Sequence, residues 1–301
     1  MMIGGIKMAC LRKGVISVFF VSLFLAASVL QAEVKGEAVQ YYDGDVPLKG
    51  YLVLPDTIYA TGQTPAAILV HEWWGHDEFI KEAAIRLAKE LGIVAFAIDM
   101  FGNGRVAKHP EDAKRFSGEI LKTKGLREKR FRAALKYLSS HSDVDKEKIV
   151  ALGFCFGGST VLDMARLNLP LSGVVSFHGG LDSKIEGGKI ASRILVFVGE
   201  HDTLIPKEER ERFQNEMRQA NADAELLVLA GARHSFMNPR ADEYKKEFGL
   251  DMGYHQRAAE LAWSGTYAFI RQLFPRDKRI VEEKPPCIGC GIWDESSSVK
   301  G

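Results

Sequence analysis

Gly153-Phe154-Cys155-Phe156-Gly157-Gly158 is the stretch of sequence that decides the fold. It follows the apolar run Ile149 to Leu152 and precedes the helix-like segment Ser159 to Arg166. Glycines stand two residues before and two residues after Cys155, as a turn too tight for flanking side chains requires. The pattern predicts a strand that turns sharply into a helix and holds Cys155 as a nucleophile at the end of a sheet. Taken alone, it also fits a buried, inert cysteine.

Short apolar runs recur on both sides of this turn. They are continuous rather than alternating, as in strands that are covered on both faces. Between two of them, apolar residues repeat every four positions from Asp77 to Leu91, and Gly92 is placed to end that helix. This alternation predicts an α/β fold with a mostly parallel central sheet, helices on both faces and a ligand site at the carboxyl ends of the strands. The predicted strands are Ile68 to Val70, Ile93 to Ile98, Ile149 to Leu152, Val174 to Phe177, Ile194 to Val198 and Leu226 to Leu229.

Further local signals extend this picture. Pro110 and Pro206 are each followed by acidic residues, which predicts two helices with proline in the first turn. Residues Glu37 to Leu54 contain Asp43-Gly44 and Pro47, and they predict an antiparallel hairpin at the sheet edge. The predicted domain therefore covers residues 33–278. Residues 279–301 lack periodicity and are expected to form a flexible C-terminal tail.

The first 32 residues predict a signal peptide. Basic residues precede a mostly apolar run from Val15 to Leu30, and cleavage is expected after Ala32. The run is shorter than the roughly 20 residues of a membrane-spanning helix, so a permanent anchor is the less favoured alternative. We expect an exported protein, periplasmic or secreted, that stays membrane-anchored only if the leader is uncleaved.

Charge and cysteine content restrict the function. The full chain has 40 basic and 39 acidic residues, and removal of the leader leaves 37 and 39, so no net positive field favours nucleic-acid binding. Three cysteines remain after cleavage, in a compartment expected to be oxidising. Cys287 and Cys290 lie together in the tail, where a disulfide is the simplest interpretation, and Cys155 is then the free thiol.

A nucleophile at a strand-to-helix turn requires an acid and then a histidine at the ends of later strands. Asp202 follows the predicted strand Ile194 to Val198 by four residues, and His234 follows Leu226 to Leu229 by five. Both residues fall where this topology requires them. Their joint placement favours a catalytic Cys155 over an inert one.

Five motifs together carry a family resemblance. They are His71-Glu72-Trp73-Trp74-Gly75, Asp99-Met100-Phe101-Gly102, the turn at 153–158, Gly199 to Asp202 and Arg233-His234-Ser235-Phe236. From about Val39 to Phe274 the sequence resembles the dienelactone hydrolase family, exported members included. The resemblance implies an α/β-hydrolase fold and a catalytic triad of Cys155, Asp202 and His234.

The same resemblance implies further roles near the triad. It implies that Glu72 is the carboxylate that contacts the resting cysteine, and that the backbone N–H groups of Trp73 and Phe156 form the oxyanion hole. A carboxylate that keeps the resting thiol protonated would protect it from oxidation. No cofactor and no metal are expected.

The substrate site departs from the best-known family members, which hold a substrate carboxylate with two arginines. Arg105 is the candidate for the first of them, but Asn238 stands at the position of the second. A substrate carboxylate is therefore in question. Aromatic residues near the strand ends predict an aromatic cleft instead, with Trp74, Phe101 and Phe236 as candidate substrate-binding residues.

Other motifs match patterns of different chemistry but lack the local structure that this chemistry requires. Gly102 to Ala107 matches a dinucleotide-binding pattern, yet Pro110 delays the helix that should begin within it. The histidines of His71 to His76 are five residues apart and do not share a helix face, as a zinc site of that type requires. The favoured function is hydrolysis of a small ester or lactone through an acyl-cysteine. The alternative is a catalytically silent domain that acts as an exported binding module.

Overall fold

A single sheet organises the structure, a computed structural model that describes residue 34 and residues 36–55, 63–185 and 188–275. Eight strands of this described part are joined in the order β1-β2-β4-β3-β5-β6-β7-β8. The pairs β1/β2 and β2/β4 are antiparallel, and every later pair is parallel. The strands are β1 (Gly36–Asp43), β2 (Val46–Val53), β3 (Thr64–Val70), β4 (Val94–Ile98), β5 (Val144–Phe154), β6 (Gly173–Phe177), β7 (Arg193–Gly199) and β8 (Ala224–Leu229).

Helices cover both faces of the sheet and bury two hydrophobic clusters. The side chains of successive strand residues alternate between the clusters: Ile68 belongs to one cluster and Leu69 to the other. Helices α1 and α7 pack on one face, and α2 to α6 contribute to the cluster on the other. The helices are α1 (Glu78–Leu91), α2 (Pro110–Lys122), α3 (Leu126–Ser139), α4 (Phe156–Arg166), α5 (Lys207–Gln219), α6 (Ala241–Phe248) and α7 (Gln256–Leu273).

The predicted α/β architecture is confirmed. The predicted helix that ends at Gly92 and the predicted edge hairpin are also confirmed. The Asp77 side chain accepts a hydrogen bond from the N–H of Ile80 and caps α1, which Gly92 ends in a left-handed conformation at φ 59°. Strands β1 and β2 form the predicted antiparallel hairpin at one edge of the sheet. Pro110 begins α2 as predicted.

Two expectations differ from the structure in detail. Pro206 is the N-cap residue of α5 rather than a first-turn residue, because its extended backbone leads into Lys207. Strand β8 is not covered on both faces: it forms the second edge of the sheet, and Leu227 and Val228 are exposed. Helices α3, α6 and α7 were not among the predicted elements.

The predicted leader 1–32 and tail 279–301, with Cys287 and Cys290, lie outside the described residues. Within the described ranges, no helix combines the length and the apolar character needed to cross a membrane.

Candidate active site

Cys155 occupies the sharp turn between β5 and α4. Its backbone has φ 51° and ψ −112°, a conformation that residues with a side chain rarely adopt. A Cβ atom on Gly157 would lie 2.2 Å from the carbonyl oxygen of Val70, and one on Gly153 would lie 2.0 Å from the carbonyl oxygen of Gly157. The glycines are therefore required by backbone packing, and the turn presents the half-buried thiol at the carboxyl end of the sheet.

Loops after β7 and β8 bring an acid and an imidazole to this thiol. His234 Nε2 lies 3.1 Å from Cys155 Sγ, and His234 Nδ1 lies 2.9 Å from Asp202 Oδ2. The other oxygen of Asp202 accepts a hydrogen bond from the N–H of Leu204, at 3.0 Å. Because Asp202 accepts at Nδ1, the imidazole directs Nε2 at the sulfur. The three side chains form one continuous hydrogen-bonded chain.

The environment favours the protonated form of His234. Burial opposes a charge on this ring, but the charge of Cys155 and hydrogen bonds to Asp202 and Cys155 outweigh it, so the pKa of His234 is raised well above its usual value. An imidazolium beside sulfur is the partner that stabilises a thiolate. The arrangement therefore supports a nucleophilic sulfur.

Glu72 is buried beside this chain of hydrogen bonds, but its direct partners are other residues. Its carboxylate accepts a hydrogen bond from Ser235 Oγ at 2.8 Å and from Asn238 Nδ2 at 2.6 Å. Burial raises the pKa of Glu72 from 4.5 to about 7, against the opposing effect of those two hydrogen bonds. In this structure the carboxylate is thus held by Ser235 and Asn238, whereas the thiol faces His234.

The two residues whose N–H groups are expected to form an oxyanion hole border the same space. Trp73 follows Glu72 in the loop after β3, and Phe156 is the first residue of α4, where its N–H has no partner within the helix. Both residues line the cavity that contains Cys155 and His234.

A cavity of about 470 Å³ opens from Cys155 and His234, and its lining is mainly apolar. Its walls come from the loop after β3, from α2 and α4, and from the loops after β6, β7, β8 and α6. The lining residues are Trp73, Ser117, Leu121, Cys155, Phe156, Ser159, Gly180, Leu204, Ile205, His234, Leu250, Asp251 and Met252.

Comparison with known proteins assigns the chain to a family. The sequence profile of the dienelactone hydrolase family matches residues 48–274, which is most of the described structure. The chain belongs to the dienelactone hydrolase family. It is therefore a hydrolase of the dienelactone hydrolase type.

Relatives and solved structures agree with the family assignment. Protein usf of Aquifex pyrophilus is 25% identical over 79% of this chain and 98% of its own length. A candidate carboxymethylenebutenolidase of Aquifex aeolicus is 26% identical over 69% of this chain and 90% of its own length. The crystal structure of P91, a dienelactone hydrolase-like promiscuous phosphotriesterase from metagenomic libraries, is 30% identical and has a TM-score of 0.72. That comparison covers 80% of this chain and 99% of P91.

Four residues expected to bind substrate lie elsewhere in this dienelactone hydrolase family member. Trp74, Phe101 and Phe236 are fully buried in the core and are not part of the cavity wall, because they pack between the sheet and its covering segments. Arg105 is also outside the wall. Its guanidinium contacts Glu119 at 2.9 Å and donates to the carbonyl oxygen of Phe101.

The sequence did not reveal how Glu72 is held in this family member, nor the apolar wall of the cavity. Ser235 and Asn238, the partners of Glu72, lie more than 160 positions away from it in the sequence. Ser235 directly follows His234. Asn238 is fully buried, but the sequence does not show that burial, and without it the amide is indistinguishable from a surface residue. The apolar wall residues Leu121, Leu204 and Leu250 also carry no local signal, because exposed leucines are common on protein surfaces.

Proposed function

We propose that this protein hydrolyses a small ester or lactone through a covalent acyl-cysteine intermediate. The observation that carries the proposal is the continuous chain from Cys155 through His234 to Asp202 at the cavity wall, with separations of 3.1 and 2.9 Å. Nucleophile, base and orienting acid are the three components that such a reaction requires.

In the first half of the reaction, Cys155 Sγ attacks the carbonyl carbon as a thiolate. A carbon–sulfur bond forms, and the carbonyl oxygen becomes an oxyanion between the N–H groups of Trp73 and Phe156. Donors fixed at such a position typically contribute about 3 kcal/mol to the transition state. His234 then gives its Nε2 proton to the leaving alkoxide as the carbon–oxygen bond breaks.

In the second half, His234 accepts a proton from water, and the resulting hydroxide attacks the acyl carbon. The carbon–sulfur bond breaks, which releases the carboxylic acid and restores the thiolate and imidazolium pair. Asp202 holds Nδ1–H throughout and therefore fixes the tautomer that both steps need.

Glu72 is assigned the control of the resting thiol. An ionised carboxylate disfavours a second negative charge nearby, so Glu72 lowers the fraction of thiolate that His234 favours before substrate binds. The Glu72→Gln variant is expected to react faster with iodoacetamide at Cys155 and to turn over ester more slowly. A slower alkylation of Cys155 in this variant would remove the assigned role.

A panel of lactones, aryl esters and thioesters tests the proposed reaction. Wild type, Cys155→Ala and Cys155→Ser are compared, with circular dichroism as the check on folding. We expect Cys155→Ala to lose turnover by at least about a thousandfold and to accumulate no acyl-enzyme by mass spectrometry. Turnover that survives in folded Cys155→Ala would refute the cysteine mechanism. A folded wild type with no turnover would instead favour the exported binding module.

Export of the mature domain is part of the proposal. The basic and then apolar leader supports it. In that compartment the free Cys155 meets oxidants, which gives a carboxylate that suppresses the resting thiolate a protective use.

A further inference from the structure

The cavity beside Cys155 has an apolar wall that reaches out to solvent. Leu121 on α2 and Leu204 after Asp202 both line it, and they are 53% and 62% exposed. Leu250 and Met252, after α6, complete the apolar wall. Three separate segments thus place large aliphatic side chains around the mouth of one cavity, which is the lining expected for an apolar ligand.

No cation is available in that wall. Among the residues described by the structure, no lysine or arginine lines the cavity. Arg105 is paired with Glu119, and Arg233 is paired with Asp251 at 2.7 Å. Asp251 is itself a lining residue, so the charge at the mouth apart from the catalytic groups is a carboxylate already satisfied by Arg233.

We propose that this wall is a subsite for an uncharged, apolar chain or ring of the ester substrate. The inference rests on the proposed hydrolase function and specifies its substrate class. A substrate carboxylate bound here would lose its hydration without gaining a cationic partner. Each methylene that enters the wall is expected to raise kcat/KM by roughly fourfold, the effect of removing that group from water.

Three p-nitrophenyl esters test the proposal: the acetate, the pentanoate and the monoester of glutaric acid. The pentanoyl and glutaryl groups both have five carbons and differ by the terminal carboxylate. We expect the pentanoate to exceed both other esters in kcat/KM by tenfold or more. Equal or better turnover of the glutarate monoester would overturn the subsite while leaving the hydrolase function intact. No turnover of any ester by the folded protein would instead contradict the function itself.

Two lysine substitutions locate the effect. Leu204→Lys places an ammonium group at the mouth and is expected to lower the preference for pentanoate over glutarate monoester by at least fivefold. Leu261→Lys is the matched control, because Leu261 is 54% exposed on α7 and does not line the cavity. The same change in preference in both variants, or in neither, would place the substrate chain elsewhere.

A different observation concerns His178, which follows β6 and is fully buried. Its Nδ1 accepts a hydrogen bond from the backbone N–H of Cys155 at 3.2 Å, and that N–H also donates to the carbonyl oxygen of Phe177 at 3.0 Å. Burial, together with the nearby His234, lowers its pKa well below the usual value, so the ring is neutral and carries its proton on Nε2. That Nε2 has no hydrogen-bond partner and lies 4.0 Å from Glu72 Oε1.

His178 therefore joins the two strained parts of the site. Both His178, at φ 40°, and Cys155, at φ 51°, have left-handed backbone conformations. The hydrogen bond between them ties the nucleophile's turn to the end of β6. From this geometry we infer that His178 is a positioning residue, whose Nδ1 fixes the backbone turn that aims Cys155 at His234.

Asparagine and glutamine substitutions separate this role from simple packing. Asparagine places an acceptor near the position of Nδ1, and glutamine places its amide near that of Nε2. We expect His178→Asn to keep kcat within about threefold of wild type, and His178→Gln to lower kcat by tenfold or more with KM little changed. KM should hold because His178 does not line the cavity.

The outcomes of this comparison are distinct. Rescue by asparagine, with slower iodoacetamide labelling of Cys155 in the glutamine variant, supports the positioning role. Equal losses of kcat in both variants, a rise in KM instead of a fall in kcat, or failure of both variants to fold would overturn it, since each result indicates packing alone.

Discussion

Glu72 is a buried carboxylate that the fold keeps at a cost in stability. Its pKa is 4.5 when exposed and is raised to about 7 in the folded protein, chiefly by burial. The folded state therefore binds more protons than the unfolded state between these values, and this contribution to stability is present below pH 4.5 and lost as pH rises through 7. The loss is on the order of 3 kcal/mol. A residue that destabilises the protein at neutral pH is typical of a functional site rather than of a core.

The first prediction follows from the loss of stability as Glu72 ionises at rising pH. Relative to wild type, Glu72→Gln should become more stable as pH rises from 5 to 8, because the variant has no carboxyl group to ionise. Urea unfolding at several pH values measures the difference. Ser235→Ala serves as the comparison, because it keeps the titrating group and removes a hydrogen bond that lowers the pKa of Glu72, so it should still lose stability as pH rises. A Glu72→Gln minus wild-type difference that is constant with pH would contradict the raised pKa.

The second prediction concerns Asp202. Asp202→Asn should lower kcat by at least about a hundredfold, because an amide that donates to Nδ1 stabilises the wrong tautomer of His234. Asp251→Asn is a suitable control: Asp251 lines the mouth but contacts Thr203 and Arg233 rather than the triad. Steady-state kinetics on one aryl ester measure both variants. Similar kcat values for Asp202→Asn and wild type would show that Asp202 does not orient the base.

At the scale of elements, the turn from β5 to α4 is the part most sensitive to small changes. Gly157→Ala puts a Cβ atom 2.2 Å from the carbonyl oxygen of Val70 and 2.8 Å from that of His71, and both are backbone atoms at the end of β3. We expect a destabilisation of about 2 kcal/mol or more and loss of turnover, because the thiol and the Glu72 loop are displaced together.

Gly118→Ala is the matched control for that third prediction. Gly118 lies within α2, and a Cβ atom there meets no atom within 4 Å. The substitution should stabilise the protein by about 0.5 to 1 kcal/mol through helix propensity, without changing turnover. Thermal unfolding of both variants measures the contrast. Opposite signs for the two alanines are the expected result, and a tolerated Gly157→Ala would show that the turn relaxes.

The strands and helices of the structure show how much of the fold the sequence could predict. Continuous apolar runs correctly predicted the central strands, because every residue of a strand covered on both faces is buried and therefore apolar. The same rule was wrong about β8, because an edge position is a property of strand order and Leu227 and Val228 are apolar although exposed. Helix α7 was missed despite its buried residues at helical spacing, which include Ala262, Thr266 and Ile270.

The sequence predicted a candidate triad where chemistry and topology constrain each other. A triad needs particular residue types after particular strands, and the structure brings the side chains of Cys155, Asp202 and His234 within hydrogen-bond distance. The apolar wall of the cavity was not predicted. Whether Trp74 or Phe101 faces a cavity or the core depends on loop paths that the local sequence does not encode. The same holds for Asn238, whose use becomes clear only when its contact with Glu72 is seen.

At the scale of the whole molecule, the last prediction concerns the leader. The folded domain begins very close to the predicted cleavage site: Val34 is buried in the cluster formed with α1 and α7, and β1 starts at Gly36. Cleavage beyond Val34 would remove an apolar contact and then an edge strand, whereas cleavage after Ala32 leaves both in place. Intact mass measurement of the exported protein is therefore expected to show a mature chain that begins within about two residues of Glu33. A Lys13→Glu and Arg12→Glu leader, which reverses the basic segment, should retain the precursor in the cytoplasm. Lys108→Glu together with Lys114→Glu, at two exposed positions, is the control for the same charge change within the domain. Recovery of the exported fraction with Met1 intact would contradict cleavage, and unchanged export of the reversed leader would contradict its role as a signal peptide.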